Sequence, residues 1–105
     1  MSKRKPRLSH QTLKVLSLFM SQPASRLAGS DIWRETGIQS GTLYPILARL
    51  EKAGWLDSEW ESIDPKEAAR PRKRLYWITG LGQTEARSAF AELDLAEGMR
   101  AWNMS

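Results

Sequence analysis

The stretch Ser40–Gly54, SGTLYPILARLEKAG, decides the fold of this 105-residue chain. Its apolar residues recur at the i, i+3, i+4, i+7 spacing of one helical face, and Gly54 stands where such a helix should end. That face must be buried, and it comprises Leu43, Ile46, Leu47, Leu50 and Ala53. The opposite face has a small residue near the helix start and, further along, an aromatic hydroxyl and two cations. Such a face suits a groove of DNA. It carries Gly41, Tyr44, Pro45, Arg49 and Lys52.

A shorter helix is predicted just before this one. Ile32–Thr36 has helical character and is closed by Gly37, so only residues 37–39 separate the two helices. Two helices joined by a tight turn that contains glycine are typical of a helix-turn-helix motif. The start of the shorter helix is left open between Ala28 and Ser30, and Asp31 in its first turn suits the helix dipole.

Pro45 leaves two starts open for the long helix. If Thr42 is the N-cap, Pro45 falls in the first turn, where a proline costs little; if the helix starts at Ser40, Pro45 lies just beyond that turn and bends the helix. With either start, the backbone N–H groups of residues 40–43 point outward at the positive end of a helix. A phosphate would be well placed there.

Helices and strands are predicted on both sides of this motif. A hydrophobic helix should span Leu8–Met20 with Ser9 as its N-cap, and Arg26–Leu27 could add a short strand. The alternating run Trp55–Glu61 and the aromatic, β-branched run Arg74–Ile78 predict an antiparallel hairpin. In the first of these strands one side is expected to be wet, with Asp57, Glu59 and Glu61, and the other to carry Leu56, Ser58 and Trp60.

The connection between the two hairpin strands, residues 62–73, is long for a hairpin loop. Long loops in small domains are usually functional or disordered. Together with the first residue of the next strand it gathers five cations, so we interpret it as a basic wing. They are Lys66, Arg70, Arg72, Lys73 and Arg74.

Composition narrows the classes of function. The net charge is +4, with fourteen Lys and Arg against eight Asp and Glu in residues 1–80 and two against four in residues 81–105. A basic body favours an anionic partner. With no Cys and one His, the chain lacks thiolate zinc sites, Cys nucleophiles and multi-His metal sites, so no cofactor and no enzymatic activity are expected. No apolar run reaches the roughly 20 residues of a membrane span, which predicts a cytoplasmic protein.

The C-terminal segment should form a last helix capped by Thr79. Its apolar surface exceeds what a terminal helix on so small a body can hide within one subunit, so a partner chain is expected to cover it. The surface comprises Ala86, Ala89, Phe90, Leu93 and Ala96, continued by Leu95, Met99 and Trp102. A small aromatic effector bound between subunits near Met99 and Trp102 is one interpretation; the alternative is that Trp102 packs against the partner chain.

The combination of local motifs resembles the PadR family of bacterial transcriptional regulators, named for a phenolic-acid-decarboxylase repressor. The resemblance spans roughly residues 10–82 and rests on residues 40–45, Leu47, Leu50-Glu51, Gly54 and Leu56, then Arg70-Pro71-Arg72-Lys73, Tyr76, Thr79 and Gly82. It implies a homodimer of winged helices with the Ser40-led helix in the major groove. The sequence departs from the family at Ala69, usually Gly, at Ala28-Gly29-Ser30, usually His-Gly-Tyr, and at Gly80, where Pro is common.

These observations predict a mainly α fold with a small β-hairpin: a winged helix-turn-helix with a C-terminal dimerisation helix. We expect a flexible basic arm at residues 1–7, which either binds phosphate or simply frays, a DNA-binding domain at residues 8–80, and a dimerisation helix at residues 81–105. The predicted DNA-binding residues are Ser40, Gly41, Thr42, Tyr44, Arg49, Arg70, Arg72, Lys73 and Arg74. The predicted dimer-interface residues are Phe90, Leu93, Met99 and Trp102.

The leading hypothesis is therefore a transcriptional regulator, most often a repressor in that family, which binds a palindromic site on double-stranded DNA as a homodimer. Sequence-specific base contacts are expected from Ser40, Thr42 and Tyr44. The main alternative is a winged helix that serves only as a protein-interaction module. Five cations clustered in one wing argue against it, because a protein-binding surface more often interleaves the two signs of charge.

Overall fold

The computed structural model describes residues 5–104, with side chains described as far as residue 95. Five helices and three strands follow each other along these residues. They are α1 (His10–Ser21), β1 (Leu27–Ala28), α2 (Gly29–Thr36), α3 (Ser40–Lys52), β2 (Leu56–Trp60), α4 (Pro65–Ala68), β3 (Arg74–Ile78) and α5 (Gly80–Met104). The predicted winged helix-turn-helix order is confirmed, with α4 as an unpredicted helical turn inside the wing.

The helix-turn-helix turn is held by local hydrogen bonds. At the start of α2, the Asp31 carboxylate accepts a hydrogen bond of 2.9 Å from the backbone N–H of Ala28, which resolves the open start of this helix. At its end, Gly37 adopts the left-handed conformation, with φ 73°, that glycine tolerates best. The next residue, Ile38, is buried in the core and so fixes the angle between α2 and α3.

The start of α3 settles the place of Pro45. The helix begins at Ser40 with Gln39 as its N-cap, so Pro45 lies inside the helix, beyond the first turn. Proline has no N–H to donate to the carbonyl four residues earlier, which belongs to Gly41. Both residues are exposed, so water or a ligand can reach that carbonyl.

The three strands form one antiparallel sheet in the order β1-β3-β2. The hairpin of β2 and β3 places Leu56 opposite Ile78 and Trp60 opposite Arg74, and β1 pairs with the other edge of β3. The predicted wet face of β2 is confirmed at Asp57 and Glu59. Trp60, the last residue of β2, does not join the core with Leu56, because it is 59% exposed.

One core lies between the helices and the sheet. Four apolar residues of α3 face it at less than 2% exposure, as the helical spacing predicted. Side chains of α1, of α2 and of the sheet complete it, among them Val15, Leu16, Phe19, Ile32, Trp55, Tyr76 and Ile78. Burial of this apolar surface, at roughly 25 cal/mol per Å², is the main term that stabilises the fold.

Helix α5 closes the domain and then continues. The Thr79 hydroxyl donates to the Gly54 carbonyl at 2.6 Å and accepts from the backbone N–H of Gly82 at 2.9 Å, so the predicted cap is confirmed and also fastens the helix to the end of α3. Ala86 is fully buried in the core. The helix has 25 residues and is therefore about 37 Å long, more than the core can cover.

Candidate nucleic-acid interface

The solvent-facing side of α3 has small residues along its centre and polar residues along its two edges. At roughly 100° per residue, Gly41, Pro45 and Ala48 follow one line along the exposed face, with Lys52 at its end. No atom lies within 4 Å of a Cβ added at Gly41, so this line is open to the outside. The helix backbone can therefore approach the floor of a DNA groove closely.

The predicted contact residues occupy the two edges of this face. Thr42 and Arg49 lie on the edge away from the hairpin, and Tyr44 lies on the edge that faces it. All are exposed, and so is Ser40 at the helix start. The structure thus brings the α3 part of the predicted site onto one surface.

Tyr44 occupies a fixed position at the junction of α2, α3 and the hairpin. Its ring lies over Gly29, where an added Cβ would come within 2.9 Å of the ring carbons Cε1 and Cζ. The side chain remains 48% exposed. It separates two surface grooves, one shared with Trp33 and one shared with Trp60.

Arg74 links the hairpin to α3. Its Nε donates to the Ser58 hydroxyl at 3.0 Å, and that hydroxyl donates to the Glu51 carboxylate of α3 at 2.6 Å. The Arg74 guanidinium also lies 5.3 Å from the centre of the Trp60 ring and 3.7 Å from Glu51. These contacts hold α3 and the hairpin stem in one relative position.

The wing is braced by an ion pair rather than left flexible. The Arg70 guanidinium donates two hydrogen bonds to the Glu61 carboxylate, at 2.7 and 3.1 Å, and the backbone N–H of Lys73 donates a third at 2.8 Å. The hydrogen bonds from the Arg70 side chain and then from the Lys73 backbone lower the pKa of Glu61 to about 2. The hydrogen bond to Glu61 in turn raises the pKa of Arg70. Arg70 therefore acts as a brace across the wing.

The other wing cations are presented to solvent. Arg72 donates through Nε to the Ile63 carbonyl at 2.9 Å and is exposed. Lys73 is exposed, and within residues 5–95 its side chain forms no ion pair. The five predicted cations therefore have different surroundings. Arg70 braces the wing, Arg74 contacts α3 and its partners, and Lys66, Arg72 and Lys73 are exposed.

A groove of about 520 Å³ separates the start of α3 from the hairpin stem. Its walls combine hydroxyl groups, an exposed indole and cations, and no carboxylate contributes to them. The residues that define it are Ser30, Tyr44, Trp60, Lys73, Arg74 and Tyr76. Burial, and then the charge of Glu51, raise the pKa of Tyr76, so its hydroxyl keeps its proton at neutral pH.

Three aromatic residues that line the two grooves were not among the predicted contacts. Trp60 and Tyr76 were interpreted only as strand residues, although their period-two alternation with Arg74 could have indicated that all three share one side of the hairpin. Trp33 is 49% exposed and lines the second groove. The sequence left open whether Trp33 belonged to the core, because helical spacing places it at neither face clearly.

The residues predicted to form the dimer interface on α5 differ in how exposed they are. Phe90 was expected to be largely exposed in a monomer, which is wrong: it is half-buried and packs against the core of its own chain. Leu93 is 40% and Leu95 67% exposed. The side chains of Met99 and Trp102 lie outside the described residues.

Other features bear on the remaining predictions. Within residues 5–95, Lys5 of the basic arm lies 3.5 Å from the Glu85 carboxylate of α5, and residues 1–4 lie outside the described residues.

No helix in the described part of the chain combines the length and apolar character that crossing a membrane requires. In that same part, His, Asp and Glu side chains form no group of three that could hold a metal ion.

Comparison with known proteins adds to this geometry. Residues 30–88 match the family described as the transcriptional regulator PadR-like family. A PadR-like transcription factor from Bacteroides fragilis superposes with a TM-score of 0.70 at 24% identity, covering 86% of each chain. A PadR-family regulator from Clostridium difficile gives 0.75 at 15% identity, covering 92% of this chain and all of that one. None of the curated proteins compared with the chain matches it.

The similarity of fold extends to a regulator that is not described as PadR-like. MepR, a transcription regulator of the Staphylococcus aureus multidrug efflux pump MepA, superposes with a TM-score of 0.71 at 15% identity. The alignment covers 93% of this chain and 67% of MepR. At such identities these likenesses concern the winged-helix fold itself.

Proposed function

The chain belongs to the PadR-like family of transcriptional regulators, and we propose that it binds a palindromic operator as a homodimer and represses transcription from it. The family is one of regulators rather than enzymes. Family membership does not specify whether the protein represses or activates, whether its site is symmetric, or which residues contact DNA. These three points are proposed here.

The observation that carries the proposal is the shared exposure of the α3 face and the wing cations. The smooth line from Gly41 to Ala48 lets the helix enter a major groove, which is about 12 Å wide, while Arg72 and Lys73 reach the flanking backbone. Ser40 and Thr42 stand at the helix start, where the residues of a reading helix usually meet base edges.

Selection of bound duplexes from a random pool tests this directly. A two-fold symmetric consensus with half-sites about one helical turn, 10–10.5 base pairs, apart is expected. Recovery of no consensus, or of no bound duplex at all, would favour the protein-interaction alternative. Ser40→Ala and Thr42→Val should each weaken binding to the consensus by roughly 1–3 kcal/mol and binding to random duplex much less.

The sign of regulation needs a separate measurement. The consensus should be placed across a promoter and transcript measured in vitro with and without the protein. We expect less transcript with the protein, because an operator-bound dimer blocks access of the polymerase. A duplex with both half-sites scrambled is the matched control, and a rise in transcript on the intact operator would show an activator instead.

The wing assignment is tested by salt dependence. Replacing Lys73 with Ala should reduce the slope of log affinity against log salt by about 1, because one phosphate contact is lost. Lys14→Ala, an exposed cation on α1, is the matched control and should leave the slope unchanged. An unchanged slope in the Lys73 variant would remove Lys73 from the DNA-binding surface.

The dimer is proposed to form through α5. Leu93 and Leu95 are 40% and 67% exposed on α5, and burying a leucine side chain contributes roughly 1.5–3 kcal/mol. Sedimentation equilibrium should show a dimer of the 11.9 kDa chain at micromolar concentration. Leu93→Asp, or a chain ending at Gln83, should give a monomer with weak operator binding, whereas Arg87→Asp should remain dimeric if α5 packs through its apolar side.

A further inference from the structure

The groove between the start of α3 and the hairpin stem holds both tyrosines of the chain. Tyr44 reaches it from the reading helix and Tyr76 from the central strand. Neither hydroxyl has a hydrogen-bond partner within residues 5–95. Since no buried side-chain N or O atom in that part of the chain lacks a partner, the Tyr76 hydroxyl is not completely buried, and Tyr76 lines the groove.

The opposite wall of the same groove is cationic. Arg72, Lys73 and Arg74 line it, and no carboxylate does. Arg74 is already oriented there by the Ser58 hydroxyl and the Trp60 ring. Unpartnered hydroxyl donors on one side and cations on the other form a binding site for an anion with several acceptor oxygens.

The position of the groove points to the source of the anion. When α3 lies in a major groove, the sugar-phosphate strand at the edge of that groove runs between the helix and the wing. The groove lies at that place, and Trp60 lines it with a 59% exposed side chain. An indole of this kind suits contact with the deoxyribose next to a phosphate.

We propose that this groove binds one phosphate of the DNA backbone in each half-site, with the Tyr44 and Tyr76 hydroxyls donating hydrogen bonds to it and Lys73 and Arg74 balancing its charge. The assignment rests on the proposed function. It gives Tyr44 a role that is independent of base sequence, in contrast to Ser40 and Thr42, and it adds Tyr76 to the DNA-binding residues.

Removing each hydroxyl alone is the first test. Tyr44→Phe and Tyr76→Phe should each reduce affinity about tenfold, the value of one hydrogen bond to a charged group, on consensus and random duplex alike. Tyr44→Phe should unfold at the temperature of the unaltered protein, because the Tyr44 side chain is half exposed. Ser17→Ala, an exposed hydroxyl on α1, is the control and should change nothing. A loss confined to the consensus duplex would make Tyr44 a base-reading residue and overturn the proposal.

The second test identifies the phosphate. Single methylphosphonates, which are neutral, should be placed at each position of one half-site of the consensus duplex. At one position the unaltered protein should lose about tenfold in affinity, and Tyr44→Phe should lose much less than the unaltered protein does at that same position. Loss in the variant equal to that in the unaltered protein at every position would refute the phosphate contact.

A third measurement separates the DNA backbone from free phosphate. Inorganic pyrophosphate should be titrated at constant ionic strength while Trp fluorescence is compared in the unaltered protein and in Trp60→Phe. A Trp60-dependent signal together with a flat methylphosphonate scan would assign the groove to a free anion and overturn the backbone assignment. If the protein bound duplex tightly and no coupling appeared, only this inference would fail, whereas absence of duplex binding would refute the proposed function as well.

Discussion

The ring of Tyr44 packs over the Cα of Gly29, so α3 places its aromatic residue against the first turn of α2. A Cβ at position 29 would come within 2.9 Å of the Tyr44 carbons Cε1 and Cζ. The absence of a side chain at Gly29 therefore sets where the Tyr44 hydroxyl points. One glycine of α2 thus controls the geometry of an exposed edge of α3.

Gly29→Ala is expected to weaken DNA binding without unfolding the protein. The added methyl group displaces the exposed Tyr44 ring, so affinity should fall about tenfold, like that of Tyr44→Phe, while the free energy of unfolding changes by less than about 0.5 kcal/mol. Gly80→Ala is the control, because a Cβ there meets nothing within 4 Å. Equal effects of the two substitutions on binding would contradict this role for Gly29.

Ala69→Gly should stabilise the protein. Ala69 ends α4 in the left-handed region, with φ 56° and ψ 32°, where a Cβ costs roughly 1–2 kcal/mol that glycine does not incur. After the larger entropy that glycine loses on folding, a gain of about 1 kcal/mol should remain in urea unfolding. Ala68→Gly, at the last residue of α4, should lower stability instead, and a loss in both variants would show that position 69 is not strained.

The Glu61–Arg70 pair should make the wing sensitive to acid. The pKa of Glu61 falls from 4.5 to about 2 on folding, so its contribution to stability is fully present above about pH 4.5 and is lost as the pH falls toward 2. An NMR titration should show Glu61 titrating near pH 2, and in Arg70→Gln its pKa should return toward 4.5. A Glu61 pKa near 4.5 in the unaltered protein would rule out the ion pair in solution.

Pro45→Ala should raise the free energy of unfolding. Pro45 lies inside α3, where the missing N–H and the ring together cost up to about 3 kcal/mol, and the substitution restores a hydrogen bond to the Gly41 carbonyl. A gain of about 1–2 kcal/mol in urea unfolding is expected. Pro71→Ala, in the wing loop outside any helix, should give no gain, and a similar result for both would contradict the argument.

Glu51→Gln should strengthen DNA binding on every sequence. The substitution keeps a hydrogen-bond acceptor for the Ser58 hydroxyl but removes the negative charge 3.7 Å from Arg74. Arg74 then interacts more strongly with phosphate, and affinity should rise severalfold at low salt. Glu67→Gln, an exposed carboxylate on α4, is the comparison for charge alone, and an equal increase there would mean that Arg74 is not involved.

Local patterns in the sequence were enough to predict the order of elements. The apolar spacing in Ser40–Gly54 places four residues of α3 in the core, and Gly37 and Thr79 mark helix ends where they were expected. Helical and strand periodicity, helix caps and turns depend on residues close together in the chain. The PadR resemblance, which rests on such local motifs, was confirmed by the family match over residues 30–88.

Which cations of the wing are paired and which are exposed depends on the tertiary structure. Nothing local in the sequence distinguishes Arg70, which braces the wing through Glu61, from Lys73, which is exposed, because the partner of each cation is set by how the loop folds. For the same reason Trp60, expected on the buried side of β2, extends past the end of the core.

The position of Tyr44 over Gly29 likewise depends on the crossing of α2 and α3. Sequence periodicity assigns each residue to a face of its own element, which is why Tyr44 could be placed on the outer face of α3. What that face meets is determined by packing between elements that are distant in the chain. The groove shared by Tyr44 and Tyr76 therefore exists only in the folded protein.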